Sequence, residues 1–249
     1  RYMSTKYNLR ATTRSNYIYM FNKFVRDEFG NKFLADVKYS DVKFFYYHLI
    51  NEKNIAINTL DTIHTVIHPI FDMAVRDDII RKNPTDGVMA EIKKNSGKNK
   101  GIRHALTVEQ QKAFIEAIRS YPEYYHWYPL FVTLLGTGMR IGECVGLTWK
   151  DVDFKHRSIS VNHSATYYTR NGTAGFGISK PKTEAGIRNI PLMDTVYDAL
   201  KNEYDRQKRE GFCVYELDGF NGFVFSNKLG SLHNPHCVNL AIKRIYEAY

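Results

Sequence analysis

Along the first ninety residues apolar side chains return every three or four positions, the period of helices that bury one face. Thr12 or Thr13 can cap a helix whose inner face carries Tyr17, Met20, Phe21 and Phe24 and which ends before Gly30. Val42, Phe45, Tyr46 and Leu49 predict a second helix after Ser40-Asp41. Asn58-Thr59 opens a third, with Leu60, Ile63, Ile67, Ile70, Phe71 and Ala74 inward, and Asn83-Pro84 closes a short helix after it. The period then breaks. From Ile92 to His104 the chain reads IKKNSGKNKGIRH, in which Lys93, Lys94, Lys98, Lys100 and Arg103 alternate with small polar residues. This predicts a helical domain over 1–92, a basic linker over 93–104 and a second domain over 105–249.

The second domain opens on Thr107-Val108-Glu109-Gln110, a capping box, with Phe114, Ile115 and Ile118 facing the core behind it. Tyr128 to Leu135 predicts a buried helix. From Ser158 the period changes to two: Ile159, Val161 and Tyr167 alternate, Asn171-Gly172 turns the chain, and an extended run covers Phe176 to Leu192. Asp194 caps a long helix with Val196, Tyr197, Leu200 and Tyr204 inward, ended by Gly211. Phe223-Val224-Phe225 is a short strand, and Asn234-Pro235 starts a last helix carrying Val238, Ala241, Ile242, Ile245 and Tyr249. The fold class expected is mainly α with a small β-sheet, a helical domain followed by an α+β domain.

Charge narrows the function. Thirty-five Lys and Arg against 26 Asp and Glu give a net charge of +9, which favours a polyanionic partner. The longest apolar run, Tyr128 to Leu135, is far short of the roughly 20 residues of a bilayer span, so nucleic acid is preferred to membrane. Cys144, Cys213 and Cys237 are scattered and odd in number, which suits a reduced, cytoplasmic setting. His233, His236, Cys237 and Cys213 lack the C-x-x-C or H-x3-H spacing of a metal site, and no metal or cofactor is expected.

The stretch GTGMRIGE sets Arg140 just past a glycine turn and inside an apolar run, and a cation there needs an anion. One source is Glu143, three residues on, in a structural contact of small worth. The other is a phosphate gripped bidentately by the guanidinium, with the glycines letting another backbone approach. Around Lys6, Arg10, Thr12, Thr13 and Arg14, the start of the first helix suits phosphate. Thr59, Thr62, His64 and Thr65 lie on the polar side of the third helix, where they can read base edges or simply face solvent.

T-G-M-R-I-G-E followed by G-L-T-W-K-D-V-D-F and then, about thirty residues later, P-K-T-x-x-G-x-R-x-I-P-L resembles the tyrosine recombinases, the phage integrase family, and most of all the integrases of phages and conjugative transposons. The likeness extends to the helical first domain, which is similar to that family's core-binding domain, with an α+β catalytic domain behind it. It implies that Arg140 stabilises charge on a scissile phosphate as a catalytic residue, and that Lys182 protonates the leaving 5′ oxygen. Glu143 and Arg188 support them, and Lys180, Thr183 and Arg188 lie near the cleaved strand. With no Mg²⁺ in the family's chemistry, arginines and a lysine neutralise the phosphorane.

The implied activity cleaves and rejoins DNA through a 3′-phosphotyrosyl bond to integrate or excise a mobile element. The implied partners are double-stranded DNA, further copies in a synaptic homo-tetramer and a DNA-bending or excision factor; the implied location is cytoplasmic, on the bacterial nucleoid. The family's H-x-x-R motif and nucleophilic tyrosine are expected beyond Tyr249. The chain begins with Arg1 and stops inside a helical pattern, as a fragment whose catalytic domain is truncated at its C-terminal end would, and whether an arm-binding domain precedes Arg1 stays open. Two other readings stay open: a catalytically incomplete DNA-binding regulator or degenerate integrase, and a metal-dependent nuclease.

Overall fold

In a computed structural model, residues 2–95, 105–170, 172–181 and 183–248 are described, with the side chain of Arg170 set aside. Two compact units divide the chain, Arg1–Arg103 and His104–Tyr249.

The first unit is helical: α1 (Tyr2–Thr5), α2 (Ala11–Met20), α3 (Tyr39–Asn51), α4 (Ile57–Arg76) and α5 (Val88–Asn95). Val42, Phe45, Tyr46 and Leu49 on α3 meet Leu60, Ile63, Ile67 and Phe71 on α4, all buried, as the spacing requires. Phe29 stacks on Phe45 with ring centroids 4.7 Å apart.

Four expectations are corrected here. Neither Thr12 nor Thr13 caps α2; Arg10 holds the cap position and both threonines lie inside the first turn. The helix runs on through a π turn at Phe21–Val25, in which the Arg26 amide donates to the Phe21 carbonyl at 2.9 Å. The extra residue rotates the face, so Val25 and Phe29 reach full burial and Phe24 only partial burial. No short helix lies between α4 and Asn83-Pro84. Instead α5 follows them, buries Val88, Met89 and Ile92, and carries Lys93 and Lys94 in its last turn, so the helix extends into the stretch read as linker. Ile70 is half-buried while Val66 takes a fully buried place.

The second unit contains α6 (Val108–Ser120), α7 (Tyr128–Thr137), α8 (Ile141–Val145), β1 (Val152–Asp153), β2 (Ser158–Val161), β3 (Ser164–Arg170), β4 (Thr173–Ser179), β5 (Arg188–Pro191), α9 (Asp194–Glu210) and α10 (Pro235–Ala248). Thr107 and Gln110 form the expected reciprocal cap, with the Thr107 amide donating to Gln110 Oε1 at 2.9 Å and the Gln110 amide to Thr107 Oγ1 at 3.2 Å. The strands make two antiparallel sheets, β1-β2-β5 and β3-β4, with Ile159 paired to Val152 and Ile190, and Thr166 to Gly177. Ile118, Leu130, Leu147, Ile159, Leu200 and Ile245 centre the main core. A smaller core of Val145, Ala165, Phe223 and Leu232 underlies the β3–β4 hairpin.

The extended run expected over Phe176 to Leu192 is broken between β4 and β5. Pro181 has no amide to give a ladder, and a 3-10 turn at Glu184–Gly186 folds the chain back so that a Cβ on Gly186 would lie 2.6 Å from Pro181 Cβ. Phe223-Val224-Phe225 is buried yet forms no strand, only a bridge from Phe223 to Thr148. Asp194 is the first residue of α9 rather than its cap, and its carboxylate takes Arg157 Nη2 at 2.5 Å. Ile242 faces outward on α10 because positions 238, 241 and 245 form the buried stripe. Tyr249 and Asn171 lie outside the described residues; Gly172 holds φ +83° between the hairpin strands. No described helix is long and apolar enough to cross a membrane.

Candidate active site

α7 ends at Gly138, whose φ of +63° lets the chain leave the helix in a left-handed turn. Buried Met139 anchors the next residue, and Arg140 takes the N-cap position of α8. Glu143, in the first turn, reaches back to accept the Arg140 amide at 2.9 Å, which is where a carboxylate suits both the unpaired amide and the helix dipole.

The same carboxylate gathers two guanidiniums. Arg140 Nη1 donates to Glu143 Oε1 at 2.8 Å. From β5, Arg188 Nη2 donates to Oε2 at 2.8 Å, while its Nη1 reaches Oε1 and the Gly186 carbonyl, each at 3.3 Å. The Glu143 side chain is 6 % exposed, Arg188 31 % and Arg140 78 %. Burial pushes the Glu143 pKa up, but the hydrogen bonds from Arg188 and from the Arg140 amide and guanidinium outweigh it and hold the group at about 2. The carboxylate raises the Arg188 pKa in return. Two cations on one anion leave net positive charge, most of it on the outward Arg140. The structural contact expected between Arg140 and Glu143 is therefore present, and it leaves most of the guanidinium in solvent.

Another part of this chain's own backbone lies close at Gly142. A Cβ there would lie 2.6 Å from both the Ala165 carbonyl oxygen and Ser164 Oγ; one on Gly146 would lie 2.8 Å from the Ala165 amide nitrogen. Glycine at both positions seats α8 directly on β3. Beneath this contact His163 is buried, with Nε2 2.6 Å from the Gly146 carbonyl and Nδ1 2.5 Å from Asn162 Oδ1. Asp151, also buried, accepts from the Thr148 amide at 3.0 Å and from Asn162 Nδ2 at 2.8 Å. Sequence reasoning passed over this layer, although T-W-K-D has the S/T-x-x-D/E form of a cap.

Lys182 lies outside the described residues, as do Lys98, Lys100 and Arg103. Thr183 is exposed just before the 3-10 turn, and Lys180 lies one residue past β4. In the first unit Arg14 Nη2 donates to the Lys6 carbonyl at 2.7 Å and the Lys6 ammonium sits 5.3 Å from the Tyr2 ring centroid, so these candidates and Arg10 do come together at the start of α2. Thr62 and Thr65 turn their hydroxyls back to the Asn58 and Asp61 carbonyls, at 3.0 and 2.9 Å, and Thr59 is half-buried.

His64 is not on a free polar face: its Nδ1 meets the Tyr46 hydroxyl at 2.8 Å and burial lowers its pKa. It stands four residues after Leu60, which puts it at the margin of the apolar stripe. Lys93 is held by Asp61 at 2.7 Å, and Lys94 is exposed beside it. The His233, His236, Cys237 and Cys213 grouping is not formed; among the described residues the only trio of possible ligands within reach of one another is His68, Asp72 and Asp86.

Residues 104–249 match the model of the phage integrase family. The chain is 28 % identical over 220 residues to the transposase from transposon Tn916 of Enterococcus faecalis, covering 88 % of this chain and 52 % of that protein. It is also 28 % identical over 194 residues to the ICEBs1 integrase of Bacillus subtilis, covering 78 % and 49 %. The solved structure of the Tn1549 transposon integrase in complex with circular intermediate DNA superposes with a TM-score of 0.83 at 26 % identity, covering all of this chain and 77 % of that one. This chain thus spans about half the length of the curated relatives it matches.

Proposed function

The chain belongs to the phage integrase family, and from that premise we propose that it is the core of a site-specific DNA recombinase that integrates or excises a mobile element. The observation that carries this reading is the Arg140–Glu143–Arg188 cluster, in which a buried carboxylate fixes an outward guanidinium without neutralising the group. The transposase and integrase relatives, one solved with circular intermediate DNA, supply the substrate class.

In the proposed reaction a tyrosine hydroxyl gives its proton to solvent and forms a bond to phosphorus while the bond from phosphorus to O5′ breaks. The strand is left joined as a 3′-phosphotyrosine. Arg140 donates its free N–H groups to the non-bridging oxygens, where charge builds up in the transition state. Lys182 gives its proton to O5′ as that oxygen leaves. Glu143 and Arg188 hold Arg140 in place, and Arg188 also fastens the Gly186 turn. The covalent bond keeps the energy of the phosphodiester, so a 5′ hydroxyl of another strand reverses the step without a nucleotide. Lys6, Arg10, Thr12, Thr13 and Arg14 bind DNA backbone from the first unit, Lys93, Lys94, Lys98, Lys100 and Arg103 bind backbone as well, Thr59 and Thr62 meet base edges, and Lys180 and Thr183 bind near the cleaved strand. The nucleophile is assigned to none of the 18 tyrosines in this sequence. Strand exchange between two duplexes calls for a synaptic homo-tetramer, assisted by a DNA-bending factor.

Arg140→Lys in the full-length protein tests the reading. Lysine keeps the charge and loses the fork, so duplex binding should persist while covalent-complex formation on a nicked suicide substrate falls by roughly 100- to 1000-fold. An unchanged yield of covalent complex removes Arg140 from the site and leaves a DNA-binding regulator as the better account.

A further inference from the structure

Among the described residues the β3–β4 hairpin pairs with no other strand, and β4 leaves one edge without a strand partner. Exposed edges and two-stranded ribbons are the least constrained parts of a sheet. A side chain ties that edge at one point: the Ile178 amide donates to Asp218 Oδ2 at 2.8 Å across forty residues of sequence. Asp218 is set up for this. With Gly219 it forms a two-residue turn in which both residues have positive φ, +48° and +83°, closed by mutual amide-to-carbonyl bonds of 2.9 Å between Leu217 and Phe220. The turn is itself seated, since Leu217 and Phe220 pack on the small core with Ile178, and Phe220 lies 4.3 Å from the His163 ring.

Fastening β4 also constrains the chain beyond it. Ile178 stands four residues before Lys182 in the sequence, and Gly186, four residues after it, is pressed on Pro181 and gives its carbonyl to Arg188. The described residues Ile178 and Gly186, on the two sides of Lys182 in the sequence, are each tied. On the side of β3 the hairpin is already seated by Gly142 and Gly146; on the side of β4 the Asp218 carboxylate supplies the tie.

We propose that Asp218 is a positioning residue of the strand-cleavage reaction, one that fixes β4 so that Lys182 reaches the leaving 5′ oxygen. The proposal rests on the general-acid role proposed for Lys182. Asp218 touches no substrate and acts through the Ile178 amide alone.

The test uses the full-length protein with two variants that both tolerate positive φ, so the turn survives. Asp218→Gly removes the acceptor, and Asp218→Asn keeps a neutral one. Asp218→Gly should bind duplex DNA and unfold thermally as the unaltered protein does, yet cleave an ordinary suicide substrate about tenfold more slowly, since loss of orientation acts on rate. Asp218→Asn should recover most of that loss. On a substrate whose scissile 5′ oxygen is replaced by sulfur, a leaving group that needs no proton, Asp218→Gly should match the unaltered protein. Equal slowing on both substrates, or no slowing on either, overturns the proposal. Lys182→Ala serves as the reference: if sulfur rescues it and not Asp218→Gly, only the positioning role fails. If sulfur does not rescue Lys182→Ala, the general-acid reading fails first and takes the proposal with it.

Discussion

Glu143 is the residue whose state governs the site. A carboxylate with so little exposure stays charged only because two guanidiniums and an amide offset its desolvation. Its pKa is held at about 2, against an ordinary value of 4.5. A carboxyl with a lowered folded-state pKa contributes stability that is present above the ordinary value and lost as pH falls through the folded one. The window is therefore pH 4.5 down to about 2. Glu143→Gln should destabilise the second unit at neutral pH by roughly 2–4 kcal/mol, because the amide offers one acceptor where two arginines and a backbone N–H converge. That difference should shrink as pH drops across the window, since the native carboxyl is then neutralised too. Urea unfolding of both proteins at several pH values checks it; a difference that stays constant with pH would show that the ion pairs contribute little. Arg140, mostly solvated, should show the companion effect in cleavage rather than in stability.

At the scale of elements, the site depends on how closely α8 lies against β3. Gly142→Ala places a methyl 2.6 Å from the Ala165 carbonyl, which is backbone and cannot swing aside as a flexible side chain would. The elements must part, at a cost of about 1–3 kcal/mol. The start of α8 then shifts relative to β3, so cleavage of a suicide substrate should fall by at least tenfold while duplex binding holds, as expected where misplacement of about 1 Å in a catalytic group is costly. Cleavage at the original rate would mean the hairpin follows the helix without loss.

This contact also marks what the sequence made legible. Helical faces such as Val42, Phe45, Tyr46 and Leu49 follow from a period within one element, and the pair of Arg140 with Glu143 follows from a spacing of three. Arg188 on the same carboxylate, 45 residues away, and Asp218 on the Ile178 amide, 40 away, have no local period to announce them. An Asp-Gly pair does signal a tight turn, but not which amide its carboxylate will meet. The π turn at Phe21–Val25 was hidden for a different reason: one inserted residue per turn leaves the apolar composition unchanged and alters only which side chains face inward.

For the molecule as a whole, the net charge of +9 favours a polyanion, and binding to one responds to salt. Each phosphate neutralised releases a condensed counterion, so the logarithm of duplex affinity should fall linearly with the logarithm of salt concentration, with a slope of about −0.9 per phosphate contacted. If both units hold one duplex, as proposed, some 6–10 contacts are engaged, and affinity should fall by about 10³–10⁵ between 50 and 200 mM salt. Arg140→Ala separates the two roles proposed for this residue. Removing one phosphate contact should reduce the slope by about 1 and weaken binding uniformly across duplex sequences, while cleavage falls far more than affinity. Fluorescence anisotropy on labelled duplexes at a series of salt concentrations reads the slope directly. An unchanged slope with lost cleavage would place Arg140 at a phosphate that is engaged only in the transition state, whereas an unchanged slope with unchanged cleavage would detach the exposed guanidinium from DNA altogether. The Glu143→Gln protein should keep the slope at neutral pH, since its two arginines remain charged and only their placement is lost.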